Sequence, residues 1–308
     1  MAVKNFFREL AIQQAKKQAV VVDAITEESP ILAMMPMQPA THGLVNVYEN
    51  LIKIKGVEMI DLDDELPDVY VDSELEQTDL SVLGGSMFVG VDKARKFGGA
   101  EAYFNSKVPF VMRESAMRME KALYYGNLRK FAIDNGNIID CQGSNNKNYS
   151  MVVMKWTAGE NTGLYDPEGF GNGKILETYA LWGGGVGKKT LNGKEISVYG
   201  ADIKTYLGIQ LANPGYTSAA VNIEIGEDGK PTITEAQVSQ LLRMARASAG
   251  NTFIYCAPAL KDALMIYKAN KLGMTVVDRD LNLIFDSWNG VPIITSYNIE
   301  NEEANVTA

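Results

Sequence analysis

The segment Gly183-Gly184-Gly185-Val186-Gly187-Lys188 holds the glycines and lysine with which a phosphate-binding loop wraps backbone N–H groups around phosphate oxygens. That chemistry also needs glycine at 182 and a hydroxyl at 189, where Trp182 and Lys189 stand. The segment therefore reads as a surface loop, and a nucleotide-binding enzyme is only a minor alternative. Asp61-x-Asp63-x-Glu65 opens like a calcium loop, yet Leu66 occupies the position of the sharp glycine turn and Asp72 that of the bidentate glutamate. Asp278-x-Asp280-x-Asn282 fails in the same way at Leu283 and Asn289. The single histidine, His42, lies between Pro39 and Gly43, and one histidine builds neither a histidine metal cluster nor a two-histidine relay. There is no Gly-x-Ser-x-Gly elbow. Cys141 and Cys256 stand in unrelated contexts without Cys-x-x-Cys spacing, so both are expected to be reduced, buried thiols. No catalytic residue, cofactor or metal ligand is assigned, and the chain is not expected to be an enzyme.

The strongest chemical signal is instead a step in charge. From Val57 to Val91 there are ten carboxylates and no Lys or Arg; from Lys93 to Lys130 there are nine basic residues against three acids. An acidic block beside a basic one suits an arm that is laid on a neighbouring copy. The expected intersubunit contacts are Asp61, Asp63, Asp64, Glu65, Asp68, Lys53 and Lys55 on the arm. Arg95, Arg113, Arg118, Lys121, Lys16 and Lys17 are the expected basic recipients.

Elements must hold these charges. Lys4 to Ala19 has the spacing of a short amphipathic helix, and Glu28-Ser29-Pro30-Ile31-Leu32 sets up a second that ends near Pro36. Leu44 to Val57 and Val69 to Leu83 alternate like two extended limbs around the acidic tip Asp61 to Asp68. So polar a hairpin is marginal alone in water and calls for packing on another surface. Gly84-Gly85 closes the arm, and Met87 to Val91 reads as a short strand. A long helix is expected from about Glu101 to Leu128, with Val108, Met112, Ser115, Met119 and Ala122 as its apolar stripe and Pro109 kinking or starting it.

Asn135 to Tyr149 reads as a loop and Ser150 to Trp156 as a strand; Thr157 to Gly229 is an irregular, turn-rich β region. Thr234 and Gln237 form a capping box for a helix through Ser248. Thr252 to Cys256 is a buried strand, Pro258 opens a further helix, and Asn289-Gly290 is a hairpin turn into Val291 to Thr295. The acidic tail after Asn298 is expected to fray.

With 308 residues, 46% of them hydrophobic, the chain can bury a large core. Its net charge of −9 argues against general attraction to nucleic-acid phosphates, although a local basic face could touch them. The charged N-terminus lacks the apolar core of a secretory signal, and no apolar run approaches membrane-spanning length, so a cytosolic origin is expected.

The order of parts resembles the tailed-bacteriophage major capsid proteins, whose coat fold of the Hong Kong phage type is shared with encapsulins. The resemblance rests on the helical arm, Glu27-Glu28-Ser29-Pro30-Ile31-Leu32 with Met35-Pro36, the extended loop and its Leu83-Gly84-Gly85 return. It continues through the long helix beginning near Phe104, Asn289-Gly290-Val291-Pro292-Ile293-Ile294 and Ser296-Tyr297-Asn298-Ile299.

It implies an α+β fold with an N-terminal arm (1–40), an extended β-hairpin loop (41–83) and a peripheral domain (84–138 and 274–300) with a spine helix over about 101–128. An axial domain (139–273) and an acidic tail (301–308) complete it. The implied function is self-assembly into the hexamers and pentamers of an icosahedral virion shell around phage DNA, put together in the host cytoplasm. The implied partners are copies of itself, separate scaffold, portal and decoration proteins, and DNA through weak non-specific contact, with no membrane. No lysine matches a cross-linking motif. The rivals are an encapsulin-like shell storing cargo and a carbohydrate-binding or adhesive β-protein built from the turn-rich middle.

Overall fold

The structure is a computed structural model that describes residues 29–61, 65–143, 147–167, 177–191, 193–267, 273–278 and 283–306. The expected helix over 4–19, with Lys16 and Lys17, lies outside the described residues, as do Asp63, Asp64 and Asp280.

A short helix, α1 (Pro30–Met34), carries proline in its first turn, where a missing N–H costs nothing. Strand β1 (Met37–Pro39) leads into β2 (Val45–Lys55) and β3 (Tyr70–Asp79), which pair antiparallel from Val45↔Asp79 to Lys55↔Tyr70 as a separate two-stranded sheet. Only Leu80 separates β3 from β4 (Ser81–Gly90), which enters a different, six-stranded sheet. The expected second limb is thus divided at Leu80 between arm and body. Gly84-Gly85 does not end the arm but lies inside β4. A side chain at Gly84 would stand 2.8 Å from the carbonyl oxygen of Ile203, so the neighbouring backbone demands glycine there.

Helix α2 (Val91–Lys96) precedes α3 (Ala100–Ala122), which passes without a break into a π-helical segment (Leu123–Arg129) and α4 (Lys130–Asp134). This spine is longer than the expected 101–128, about 50 Å at 1.5 Å per residue. Pro109 sits inside α3, not at its start. The buried row is Phe104, Val108, Met112, Ala116, Glu120, Tyr124, Leu128 and Ala132, a strict period of four. The expected stripe instead alternated steps of four and three, and its Ala122 is exposed. A period of four drifts around a 3.6-residue helix, and the wider π turn takes up part of that drift.

The middle of the chain is more regular than its turns suggest. Strands β5 (Ile138–Asp140), β6 (Tyr149–Lys155), β7 (Asn161–Tyr165), β8 (Glu177–Ala180) and β9 (Gly187–Leu191) lead to the 18-residue β10 (Lys194–Leu211). β10 gives one edge to β4 over ten residue pairs and shares the other among β9, β8 and β7. Its buried side slips phase at Gly200-Ala201, from Val198 to Ile203, Thr205 and Leu207, which hides the alternation in sequence.

The second sheet has seven strands. β11 (Thr217–Ile223) follows, then α5 (Glu235–Met244), β12 (Thr252–Cys256), α6 (Pro258–Tyr267), β13 (Gly273–Asp278), β14 (Leu283–Trp288) and β15 (Val291–Thr295). The order is β13-β14-β15-β12-β6-β11-β5, with β12 and β15 parallel. Both faces are covered. Val152, Met154, Phe253, Tyr255 and Ile294 face the spine; Met151, Val153, Ile254, Cys256 and Ile293 face the core that Val238, Leu241 and Leu242 of α5 and Leu260 and Leu264 of α6 fill.

Strands β13, β14 and β15 thus lie in one sheet with β12, β6, β11 and β5. The Thr234 capping box is present, but α5 ends at Met244, short of Ser248. Asn289 and Gly290, with φ of 52° and 82°, make the expected turn between β14 and β15. Among the described residues no helix is long and apolar enough to cross a membrane.

Candidate assembly surfaces

The β2–β3 hairpin stands out from the body with almost every described side chain of β3 exposed. Several of its apolar side chains find no cover: Val57 is 86% exposed, Met59 105%, Leu66 81% and Leu75 74%. What holds the ribbon together is polar. Tyr48 Oη and Asn50 Nδ2 donate to the two oxygens of Glu76 at 2.7 and 2.8 Å, and Ser73 Oγ donates to Glu49. The hydrogen bonds from Asn50 and then Tyr48 hold the Glu76 carboxyl below its ordinary range, while partial burial and Glu76 push the Tyr48 phenol up to about 12.

Among the described residues, those expected at intersubunit contacts form no ion pair with one another. Asp61, Glu65 and Asp68 are exposed near the hairpin end, Lys53 Nζ lies 5.4 Å over the Tyr70 ring, and Lys55 is half-buried beside Tyr70 in register. Arg95 and Arg113 are exposed on α2 and α3. Arg118 pairs with Glu114 at 2.9 Å and Lys121 with Glu300 at 2.5 Å, so these two already have acids of their own chain. Such exposed pairs are worth only about 0.2–1 kcal/mol, weak enough to be exchanged.

The glycine loop is built differently from a phosphate cradle. Leu181–Gly184 is a 3₁₀ turn, and a strand, β9, follows instead of a helix, so no helix N-terminus faces the loop. Gly187 leaves room for the Trp182 ring, which a side chain there would meet at 2.4 Å.

Two buried carboxylates escaped the sequence reading. Glu120, fully buried in the spine's row of four, accepts from the backbone N–H of Ile31 at 2.8 Å and Leu32 at 3.2 Å, the open N-terminus of α1. Its other oxygen accepts from Ser296 Oγ and from Asn298 Nδ2 at 2.9 Å. One side chain therefore joins the start of the described chain, the spine and the turn after β15. Burial raises its carboxyl above the ordinary range, and the four donors only partly oppose this. The signal for it was present: a period-four row of apolar residues with a single acid in it.

Glu303 lies one strap further on. It accepts from Arg129 Nη1 at 2.7 Å, Tyr125 Oη at 2.8 Å and Ser150 Oγ at 2.8 Å, and Tyr125 Oη in turn accepts from the N–H of Glu300. Asn222 binds both backbone groups of Val306. Far from fraying, residues 296–306 are strapped along the spine, because Tyr125 and Arg129 of the π-helical segment face them. Replacing Arg129 with Leu should cost about 2–4 kcal/mol in denaturant unfolding, since Glu303 would keep its burial and lose its cation. Glu303→Gln in the same background should recover part of the loss.

Residues 121–307, more than half of the chain, match the family described as Major capsid protein GP7. The chain belongs to that family. Its fold is shared with a chain of bacteriophage Epsilon15, at 18% identity over 88% of either chain with a TM-score of 0.55. It is also shared with a chain of the bacteriophage JBD30 capsid, at 9% identity over 94% of this chain and 95% of that one, TM-score 0.54. No curated protein matches it in sequence. This capsid protein is a structural component of a bacteriophage virion with the expected α+β coat fold.

Proposed function

We propose that the chain is the shell-forming subunit of an icosahedral capsid, assembling with itself into hexamers and pentamers around phage DNA in the host cytoplasm. The observation that supports this most directly is the hairpin: a ribbon whose β3 strand and outer end expose apolar and acidic residues. Laid across a neighbour, such an arm could supply an interface of standard size, about 1,600 Å² in total. The arm acids Asp61, Glu65 and Asp68 would face basic groups of that neighbour, several together because each exposed pair contributes little.

In this reading the chain has no catalytic activity. Portal and decoration proteins would be its partners, with a scaffold either a separate protein or absent, and DNA would be touched only weakly. Residues 41–80 form the extended loop, and the spine and the two sheets form the body of the subunit. Sedimentation and negative-stain microscopy of the expressed protein test it. Closed particles are expected; a folded subunit that stays monomeric at high concentration, with or without a scaffold, would remove the reading.

A further inference from the structure

Along one face of α5 and just past its end, Ser239, Arg243 and Arg246 follow one another at steps of four and three. They wall a groove of about 580 Å³ that Asn289, in the turn between β14 and β15, closes on the other side. Leu242 and Val291, both buried, form its floor. That volume falls within the range of small-molecule sites, about 300–1,000 Å³. Both arginines are exposed, and among the described residues neither pairs with a carboxylate. Lys155 adds a third cation beside them: its Nζ donates to the Arg246 carbonyl at 3.2 Å and stands 4.7 Å from the Tyr216 ring centroid.

The guanidinium groups are not needed to finish the helix. At its end the Ala247 N–H donates to the Leu242 carbonyl at 2.9 Å and the Arg246 N–H to the Arg243 carbonyl at 3.1 Å. Ser218 Oγ and the Ala245 N–H both serve the Leu241 carbonyl at 2.9 Å, so these carbonyls already have donors. The residue in the left-handed position of such an ending is usually glycine; here it is Arg246, at φ of 47°. An arginine that bears strain where glycine would be free points to work for its side chain outside the helix. Its guanidinium lies along the 3₁₀ turn Pro214–Tyr216, where a side chain at Gly215 would meet its Cζ and Nε at 3.7 Å.

Two guanidinium forks three residues apart suit an oxyanion that takes paired hydrogen bonds, and phosphate offers them several oxygens. Ser239 and Asn289 bring a hydroxyl and an amide to the same walls. The apolar floor gives an organic body a place beside the charge, and the groove is too large for a bare ion. We propose that this groove binds a phosphate-bearing organic anion of nucleotide size, its phosphate held by Arg243 and Arg246. The site lies within one subunit, so it stands or falls apart from the shell reading.

The test is titration calorimetry of the full, unassembled chain at low salt. Adenosine monophosphate should bind with a Kd below about 1 mM. Inorganic phosphate should bind at least about tenfold more weakly, because it leaves the apolar floor uncovered. Arg246→Gly keeps the left-handed turn and should weaken the mononucleotide by about tenfold or more, while the thermal midpoint stays at or above that of wild type. Arg243→Gln should show the same loss of affinity with a midpoint close to wild type. A single-stranded oligonucleotide, run beside the mononucleotide, separates the two sources of such a phosphate.

Arginine-dependent binding of both at similar affinity supports the site with a free nucleotide as its ligand. An oligonucleotide that binds about tenfold more tightly, and loses that advantage in Arg246→Gly, supports it with nucleic acid as the source of the phosphate. No binding of either overturns the site, and so does affinity that both substitutions leave unchanged. Inorganic phosphate binding as tightly as the mononucleotide overturns the organic ligand. A lowered midpoint in Arg246→Gly with unaltered affinity assigns the arginine to the helix end and overturns the site. Failure to form particles bears on the shell reading alone.

Discussion

Replacing Glu120 with Ala should destabilise the folded subunit by about 3–4 kcal/mol, measured by denaturant unfolding of the unassembled protein. The change leaves the N–H groups of Ile31 and Leu32, the hydroxyl of Ser296 and the amide of Asn298 without their acceptor in a buried space. An unsatisfied buried donor costs about 1–3 kcal/mol, and water entering the vacated volume offsets part of the sum. Glu120→Gln should cost less, about 1–2 kcal/mol, because one oxygen remains while the new amide faces other donors.

The same residue should leave a mark on pH dependence. Burial raises the Glu120 carboxyl above its ordinary value of 4.5, so the folded chain keeps a proton that the unfolded chain releases. The stability it contributes is therefore complete below 4.5 and is lost as pH rises through the raised value. The difference in stability between wild type and Glu120→Gln should accordingly shrink as pH rises out of the acid range. A difference that grows with pH over that range would contradict the assignment. Glu303 is raised for the same reason, burial first, and adds a decline of the same sign.

Trimming the hairpin should have the opposite profile, with no loss of fold and a complete loss of assembly. Lys55 and Tyr70 are the last paired residues, so replacing 56–69 with Asn-Gly closes the ribbon with a two-residue turn. The removed stretch includes Val57, Met59, Leu66 and Val69, all at least half exposed, so among the described residues the body loses no core. The thermal midpoint should stay within about 2–3 °C of wild type, a shift under 1 kcal/mol for a chain of this size. Particles should be absent from sedimentation profiles. Normal shells from the trimmed chain would show that the arm's outer half is dispensable.

Much of this architecture was legible because local signals agreed with tertiary demands. The Thr234 capping box, Pro258 at a helix start, Asn289-Gly290 at a hairpin and the alternating limbs each carry their own physics. Three features were not legible, each for a physical reason. β10 is a long strand whose inward side changes at Gly200-Ala201, and turn-forming residues crowd it on both sides. The spine outruns its expected end because the π-helical segment lets a period of four persist to Ala132. The tail looked like solvated acid, yet Glu303 is buried, and only the distant Arg129, Tyr125 and Ser150 make that tolerable.

The carboxylate contacts were hidden similarly. A glutamate on a helix reads as surface until α1 and the turn after β15 are brought against it. Of the expected contact residues, Asp61, Glu65, Asp68, Arg95 and Arg113 have exposed side chains. Arg118 pairs with Glu114 one turn away, a spacing the sequence carries, whereas nothing in the spacing of Lys121 announces Glu300.

The strap along the spine also sets an order of events during synthesis. Glu120 is made early, yet two of its four donors, Ser296 and Asn298, emerge from the ribosome only after every strand of both sheets. Until then a buried acid sits half-satisfied beneath α1, and the nascent chain keeps an unfinished core. The last stretch of translation thus acts as a completion check: a chain interrupted before residue 296 carries the arm and the spine but not the lock between them.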